Sequence, residues 1–527
     1  MASVRLATVL SLSLSAYAWP QLRNGSDLFG QAITAESILS DVSSRGLPVV
    51  DESVSMGTLP VPRLSKRDAF GTLLNAKRLP KDDAKRGLPV GDISPGLMTL
   101  PVVHVERPSL DRRGVEVRLD NRSDVAYYAQ LNIGNPPQKV FAQLDTGSFE
   151  LWVNPDCGRL ALSDRQFCQA IGNYDPKKSS SSKASSLSTE LRYGIGSAQV
   201  DYVLDDIVLP SSSQQMKQVQ FGVAESSRDQ FSGILGIGHG VGVNTGYKNF
   251  IDQLADQGVT KTKAYSVALG SKTDKAGVVV FGGIDQGKYS GTLAPLPLIP
   301  ADKSPDGVAR FWVTLNSIQH TAANGQTTAL TSNTMPVFLD TGATLTLLPP
   351  KLADQMAQAV GASKADGNGF YIVDCDLASQ NGTIDFNFEG VTIRVPYKEM
   401  IREIQTLPTS CYLGIMPSTS FTLLGDTFMR SAYVVFDISN NMTYMAPYAN
   451  CGAKPQTIDT STNITSIVGT CSAQSGNSSS QPGGEPTGTN NGNSKQKDKS
   501  SGVESIRKNW SSFGVLGTVT LAFALAV

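Results

Sequence analysis

One short motif occurs twice in this chain, each time in matching surroundings. FAQLDTGSFELWV surrounds Asp145 and PVFLDTGATLTLLP surrounds Asp340. In both, an apolar run leads into Asp-Thr-Gly and another leaves it, which reads as strand, tight loop and strand. A single Asp-Thr-Gly is a turn by default. Here a second matched pair accompanies the first: Ser232-Gly233-Ile234-Leu235-Gly236 downstream of Asp145, and Thr422-Leu423-Leu424-Gly425-Asp426 downstream of Asp340. Asp145 to Gly236 spans 91 residues and Asp340 to Gly425 spans 85. Two lobes with the same internal order explain that correspondence.

From Gly114 onward the chain alternates short Val, Ile, Leu, Tyr and Phe runs with Gly, Pro, Asn and Ser turns, the pattern of a mainly β protein. YKNFIDQLADQG and PPKLADQMAQAVGA interrupt it with apolar spacing near 3.6, so two helices are expected there. The charges nearly cancel, 45 Lys plus Arg against 46 Asp plus Glu. No single-sign field is therefore available to hold a nucleic acid. With three histidines, His104, His239 and His320, a multi-histidine metal site is not expected, and neither metal nor cofactor is called for. Hydrolysis by such a chain has to use other groups.

The paired motifs make residues 114 to 450 resemble the pepsin-like aspartic proteases. LLGDTFMRSAYVVFDISNNMTYMAP is similar to that family's C-terminal segment, and FGGIDQGKYSGTLAPLPL to the approach to its second lobe. LADQMAQAVGA, FYIVDCDL and DFNFEGVTIRVP bring it nearest to the fungal candidapepsin and yapsin branch. The resemblance implies a mainly β, bilobal pepsin-like acid protease fold with a central active-site cleft. Each lobe would deliver one catalytic acid, Asp145 or Asp340. Thr146 and Thr341 would lock the loops across the lobes. Gly147 and Gly342 would let backbone approach the carboxylates, and Ser148 would support the first. RYGIGSAQVDYVLDD resembles the family's flap, with Tyr193, Gly194 and Ile195 closing over substrate and Tyr193 bonded to the indole of Trp152.

The chemistry this implies is direct attack by water. Two carboxylates held together cannot both ionise, so the pair shares a proton and titrates in two steps. One form takes a proton from water while the remaining proton bonds the scissile carbonyl. The chain departs from the family where Ala343 replaces the usual Ser or Thr after the second Asp-Thr-Gly, and where Ile195 replaces a polar flap residue. The first departure predicts a pH optimum raised from strongly acidic values. The rival reading is a non-catalytic cell-surface binding protein that kept the fold, and the intact Asp pair argues against it. Yapsin likeness suggests cleavage at basic residues and candidapepsin likeness an apolar preference; both stay open. Protein or peptide substrates and a monomer are expected.

Both ends read as addresses. Residues 1–18 hold Arg5, an apolar run from Leu6 to Leu14, and Ala16-Tyr17-Ala18, the layout of a secretory signal peptide. At the other end, the small triplet Ser500-Ser501-Gly502, a ten-residue spacer and an uncharged tail from Phe513 to Val527 form a GPI signal, with Ser500 as attachment residue and 503–527 removed. The expected location is the extracellular face of the cell membrane, or the cell wall. Residues 19–113 read as a propeptide with four dibasic pairs, cut by a kexin-like protease, finally at Arg113. GLPVVDESVSMGTLPV (46–61) repeats as GLPVGDISPGLMTLPV (87–102) with ten identities in sixteen, too few copies for a solenoid. The lobes are placed at 114–300 and 301–450, followed by a Ser/Thr/Asn/Gly-rich glycosylated stalk over 451–502.

Six cysteines without C-x-x-C spacing suit a secreted, disulfide-bonded chain; sequence alone allows 15 pairings. The family resemblance implies Cys157 with Cys168 and Cys375 with Cys411, leaving Cys451 and Cys471 to close a loop. Sequons at Asn121, Asn381, Asn441, Asn463 and Asn477 mark N-glycosylation sites.

Overall fold

The computed structural model describes residues 96–105 and 126–472, apart from short breaks at 155–156, within 160–170, and at 195, 210–214, 229, 231, 275–276, 405–409 and 421. Arg113, Asn121, Ile195, Asn477 and Ser500 lie outside the described residues, as do both terminal signals. Asn381, Asn441 and Asn463 are exposed.

Each Asp-Thr-Gly closes the same strand arrangement. In the first lobe Gln138–Asp145 runs parallel to Ile234–Gly236, with Leu144 opposite Leu235 and Asp145 opposite Gly236. Leu151–Val153 then returns antiparallel to Ile234–Gly236 and parallel to Gln215–Arg228. In the second lobe Met335–Leu339 runs parallel to Leu423–Leu424, with Leu339 opposite Leu424. Thr346–Leu348 returns antiparallel to Leu423–Leu424 and parallel to Ile415–Pro417. The two matched sequence pairs are thus paired strands. Leu144, Leu235, Leu339 and Leu424 are all fully buried, as central strands covered on both faces require.

The remaining strands attach these units to one another. A 13-stranded sheet runs from the first lobe into a central region, where Ala264–Ala268 pairs with Gly277–Phe281 on one side and Ala432–Asp437 on the other. The chain therefore leaves the second lobe at its end and rejoins the shared sheet. Smaller sheets of five, four and three strands complete the second lobe. Helices form where the 3.6 spacing predicts them, Phe250–Asp256 and Pro350–Ala359. Asn249 caps the first reciprocally with Asp252, and Phe250, Ile251 and Leu254 face inward.

Two segments beyond the expected lobe bounds also pack onto the folded body. Met98–Val105, inside the segment expected to be a propeptide, is an inner strand. It pairs antiparallel with Gly277–Phe281 and with Ala126–Ile133. Leu100 and Val102 alternate into the core with no exposure. Residues 451–472 were expected to begin the stalk but pack onto the protein. Pro455–Thr457 pairs with Gly283–Asp285, and Ile458, Ile464 and Ile467 bury against Tyr289 and Tyr433. Three isoleucines in a Thr- and Asn-rich stretch help to anchor it, beside the strand pair and the Cys451–Cys471 bridge. All three disulfides join the expected partners: Cys157–Cys168, Cys375–Cys411 and Cys451–Cys471.

A buried ion pair fixes the second lobe's end to the central sheet. Arg430, fully buried, donates from Nε to Glu399 Oε2 at 2.8 Å, and Ser271 Oγ donates to Glu399 Oε1 at 2.6 Å. Removing either ion would leave the other charge buried without its counterpart, a loss on the order of 3–5 kcal/mol.

His239, three residues beyond Gly236, is 5% exposed, and among the described residues its Nε2 has no hydrogen-bond partner. Burial lowers its imidazole to about 4, against an opposing pull from Asp252. Below its ordinary value near 6.5 the unfolded chain takes a proton that the folded chain refuses until about pH 4. Stability therefore falls as pH drops through that window, by roughly 3 kcal/mol. His239→Phe should shrink the fall in melting temperature between pH 7 and pH 3.5. An equal fall in variant and parent, measured by calorimetry, would refute this.

Candidate active site

The two Asp-Thr-Gly loops meet head to head between the lobes. Thr146 N–H donates to Thr341 Oγ1 at 3.1 Å, and Thr341 N–H donates to Thr146 Oγ1 at 3.0 Å. Each hydroxyl then crosses further: Thr146 Oγ1 donates to Leu339 O at 2.9 Å and Thr341 Oγ1 to Leu144 O at 3.0 Å. Both threonines are buried, so none of these donors has water as an alternative. Four reciprocal bonds fix each loop by the carbonyl just before the other lobe's aspartate.

This places the two acids face to face. Asp145 and Asp340 are 6% and 9% exposed, and the Asp145 carboxyl acts directly on that of Asp340. Gly147 N–H donates to Asp145 Oδ1 and Gly342 N–H to Asp340 Oδ1, both at 2.8 Å. A methyl on Gly147 would overlap the Asp340 carboxyl, and one on Gly342 would overlap that of Asp145. Glycine is needed at both places because each loop backbone packs against the opposite acid.

The pair is not symmetric. Ser148 Oγ donates to Asp145 Oδ2, whereas the matching position beside Asp340 holds the methyl of Ala343. Burial and the facing Asp145 carboxyl hold Asp340 well above the ordinary carboxylate range; Gly342 N–H and the Arg310 guanidinium oppose them. Proton sharing is the arrangement such an environment enforces.

Lys183–Arg192 and Ser197–Val208 form an antiparallel hairpin whose Tyr193 is within electrostatic reach of Asp145. Tyr193 N–H donates to Gly196 O at 3.1 Å, closing the turn. Trp152, fully buried, donates from Nε1 to Tyr193 Oη at 2.7 Å. Gly194 is exposed at the tip. Asp145 contributes to raising the Tyr193 hydroxyl, though burial is the larger cause.

Sequence reasoning missed several neighbours. Gln143 Nε2 donates to Gly342 O at 3.0 Å, a further bond between the lobes. Glu150 accepts from the hydroxyls of Tyr202 and Tyr247, and burial raises its carboxyl. Arg310 lies where the lobes meet: Nη1 donates to Gly147 O, and Nε to Asp306 Oδ2 at 2.7 Å. Glu150 stood inside the first quoted motif and could have been noticed. Arg310 lies outside every motif and carries no local signal.

Comparison with known proteins gives the family. Residues 126–448 match the family described as eukaryotic aspartyl protease. The chain is 33% identical over 372 residues to a probable aspartic-type endopeptidase opsB of Aspergillus oryzae, covering 67% of this chain and 75% of that one. It is 34% identical over 351 residues to secreted aspartic protease 3 of Candida albicans, covering 64% of this chain and 83% of that one. In fold it resembles the crystal structure of an aspartic proteinase from Irpex lacteus, with a TM-score of 0.51 and 22% identity, over 67% of this chain and 98% of that one. A pair of buried aspartates locked by reciprocal threonines, on strands whose sequence matches along the whole two-lobed body, makes this chain a member of the eukaryotic aspartyl protease family and an aspartic-type endopeptidase.

Proposed function

We propose that the protein is made as a zymogen, secreted, held at the cell surface by a GPI anchor, and cleaves peptide bonds through the pair Asp145 and Asp340. The observation that carries the catalytic part is the mutual approach of the two carboxyls, with a Gly N–H on each. In the singly ionised state, one carboxylate takes a proton from a water between them. The proton on the other bonds the carbonyl oxygen of the peptide as the water attacks. The carbon becomes tetrahedral, and proton return to the amide nitrogen breaks the C–N bond. No covalent enzyme intermediate is needed. Tyr193, Gly194 and Ile195 would cover the substrate, with Trp152 bracing the tyrosine and keeping water from the acids.

The surface placement rests on the signal patterns at both ends and on likeness to a secreted aspartic protease. A GPI-linked enzyme should leave intact cells on treatment with a phosphatidylinositol-specific phospholipase, read as activity in the medium; retention on the cells would refute the anchor. Maturation by a kexin-like protease at Arg113 would cut downstream of Met98–Val105. That strand is paired on both sides, so its departure requires separating two ladders as well as one peptide cut.

Asp145→Asn is expected to lower kcat by at least about a thousandfold with the fold intact, and pepstatin should block the parent enzyme. Cleavage that survives Asp145→Asn would overturn the proposal. Ala343→Ser supplies Asp340 with a hydroxyl donor like the one Ser148 gives Asp145. A donor to the ionised form lowers a carboxyl's pKa, so the bell of activity against pH should move to more acid values by about half to one unit. A profile that stays in place or moves upward would contradict that reading.

A further inference from the structure

Arg310 is a cation that acts on Asp340, and its neighbours hold it in place. Its side chain is 18% exposed and pairs with Asp306, itself 12% exposed, at 2.7 Å. Asp306 Oδ1 is held in turn by Trp312 Nε1 at 3.2 Å and Val308 N–H at 3.1 Å. The guanidinium carbon lies 5.4 Å from the ring centroids of both Phe149 and Phe338. Phe149 follows the first Asp-Thr-Gly-Ser, and Phe338 precedes the second Asp by two residues. Each lobe thus contributes one ring beside the guanidinium. A planar, always charged fork suits this position, because it stacks on aromatic rings while directing separate donors to Asp306 and to the Gly147 carbonyl. Next to it, Asn244 Nδ2 donates to Ala309 O at 2.7 Å, tying the same loop to the first lobe.

We infer that Arg310 is a positioning residue for the reaction: it clamps the Gly147 end of the first acid loop against the second lobe and sets the pH window in which the pair holds a single proton. The inference rests on the proposed roles of Asp145 and Asp340. Its mechanical part follows from Gly147, whose N–H serves Asp145 and whose carbonyl Arg310 holds, next to Ser148, whose hydroxyl also serves Asp145. Its electrostatic part follows from the charges that face the pair. Asp145 and Asp340 repel each other, and the hydroxyls of Tyr193 and Tyr265, both coupled to Asp145, stay neutral because burial raises them. Asp306 is the anion on the far side of the guanidinium. The Arg310 guanidinium is the positive charge that favours ionisation of Asp340. Without it both proton losses of the pair move to higher pH.

The test is kcat/KM against pH for the mature enzyme and for Arg310→Lys, Arg310→Met and the double variant Asp306→Asn/Arg310→Met, each with its melting temperature. Arg310→Met should move both limbs of the bell upward by about half a unit or more and lower the maximum by about tenfold. Arg310→Lys keeps the charge but not the fork, so its limbs should stay near the parent's while its maximum falls. The double variant removes the anion with the cation and should still be shifted upward. Limbs of Arg310→Met at the parent's pH would overturn the inference, as would equal limb shifts in the Lys and Met variants. If Arg310→Met fails to fold, Arg310→Gln replaces it in the same comparison. Failure of the underlying catalytic reading shows separately, as cleavage persisting in Asp145→Asn.

Discussion

Everything at the centre of this molecule depends on four hydrogen bonds made by two threonines. Thr146 and Thr341 each donate a backbone N–H to the other's hydroxyl, and each hydroxyl donates to a carbonyl of the opposite lobe. Two buried carboxyl groups repel when ionised and have no reason of their own to approach. The threonine lattice supplies the opposing constraint, since separating the loops would orphan four buried polar groups. Held in this way, Asp340 has a carboxyl well above the ordinary range, first through burial and then through the facing Asp145.

Much of this was legible in the sequence because the duplication left a mark at each step. The Asp-Thr-Gly motifs and the segments Ser232–Gly236 and Thr422–Asp426 are separated by similar lengths, and the strands they form do pair within each lobe. The helices at Phe250–Asp256 and Pro350–Ala359 followed from apolar spacing. Tyr193 and Trp152 came only from family likeness, because no pattern links two aromatics 41 residues apart.

What escaped the sequence reading has two physical sources. Met98–Val105 begins inside a repeat rich in Pro and Gly, and pairing with neighbours on both sides completes its strand. Likewise Ile458, Ile464 and Ile467 are spaced too irregularly to announce an element, and each is buried only because Tyr289 and Tyr433 are there to receive it. Arg310 is the second kind of case. Its contacts are Gly147, Phe149, Asp306 and Phe338, and three of those four are distant in sequence. Only the closed interface makes it a neighbour of the acids.

The shared sheet also dictates when the protein can finish folding. Ala264–Ala268 takes Ala432–Asp437 as its neighbour, so one side of a central strand stays unpaired until a segment more than 160 residues downstream has left the ribosome. The first lobe's acid loop can form early, but its threonine partner at 341 also arrives late. Nearly the whole chain must be synthesised before the interlobe surface closes, and until then an apolar strand edge is open to other chains. For a protein of this topology, the interval between synthesis of residues 268 and 437 is when aggregation competes most directly with folding.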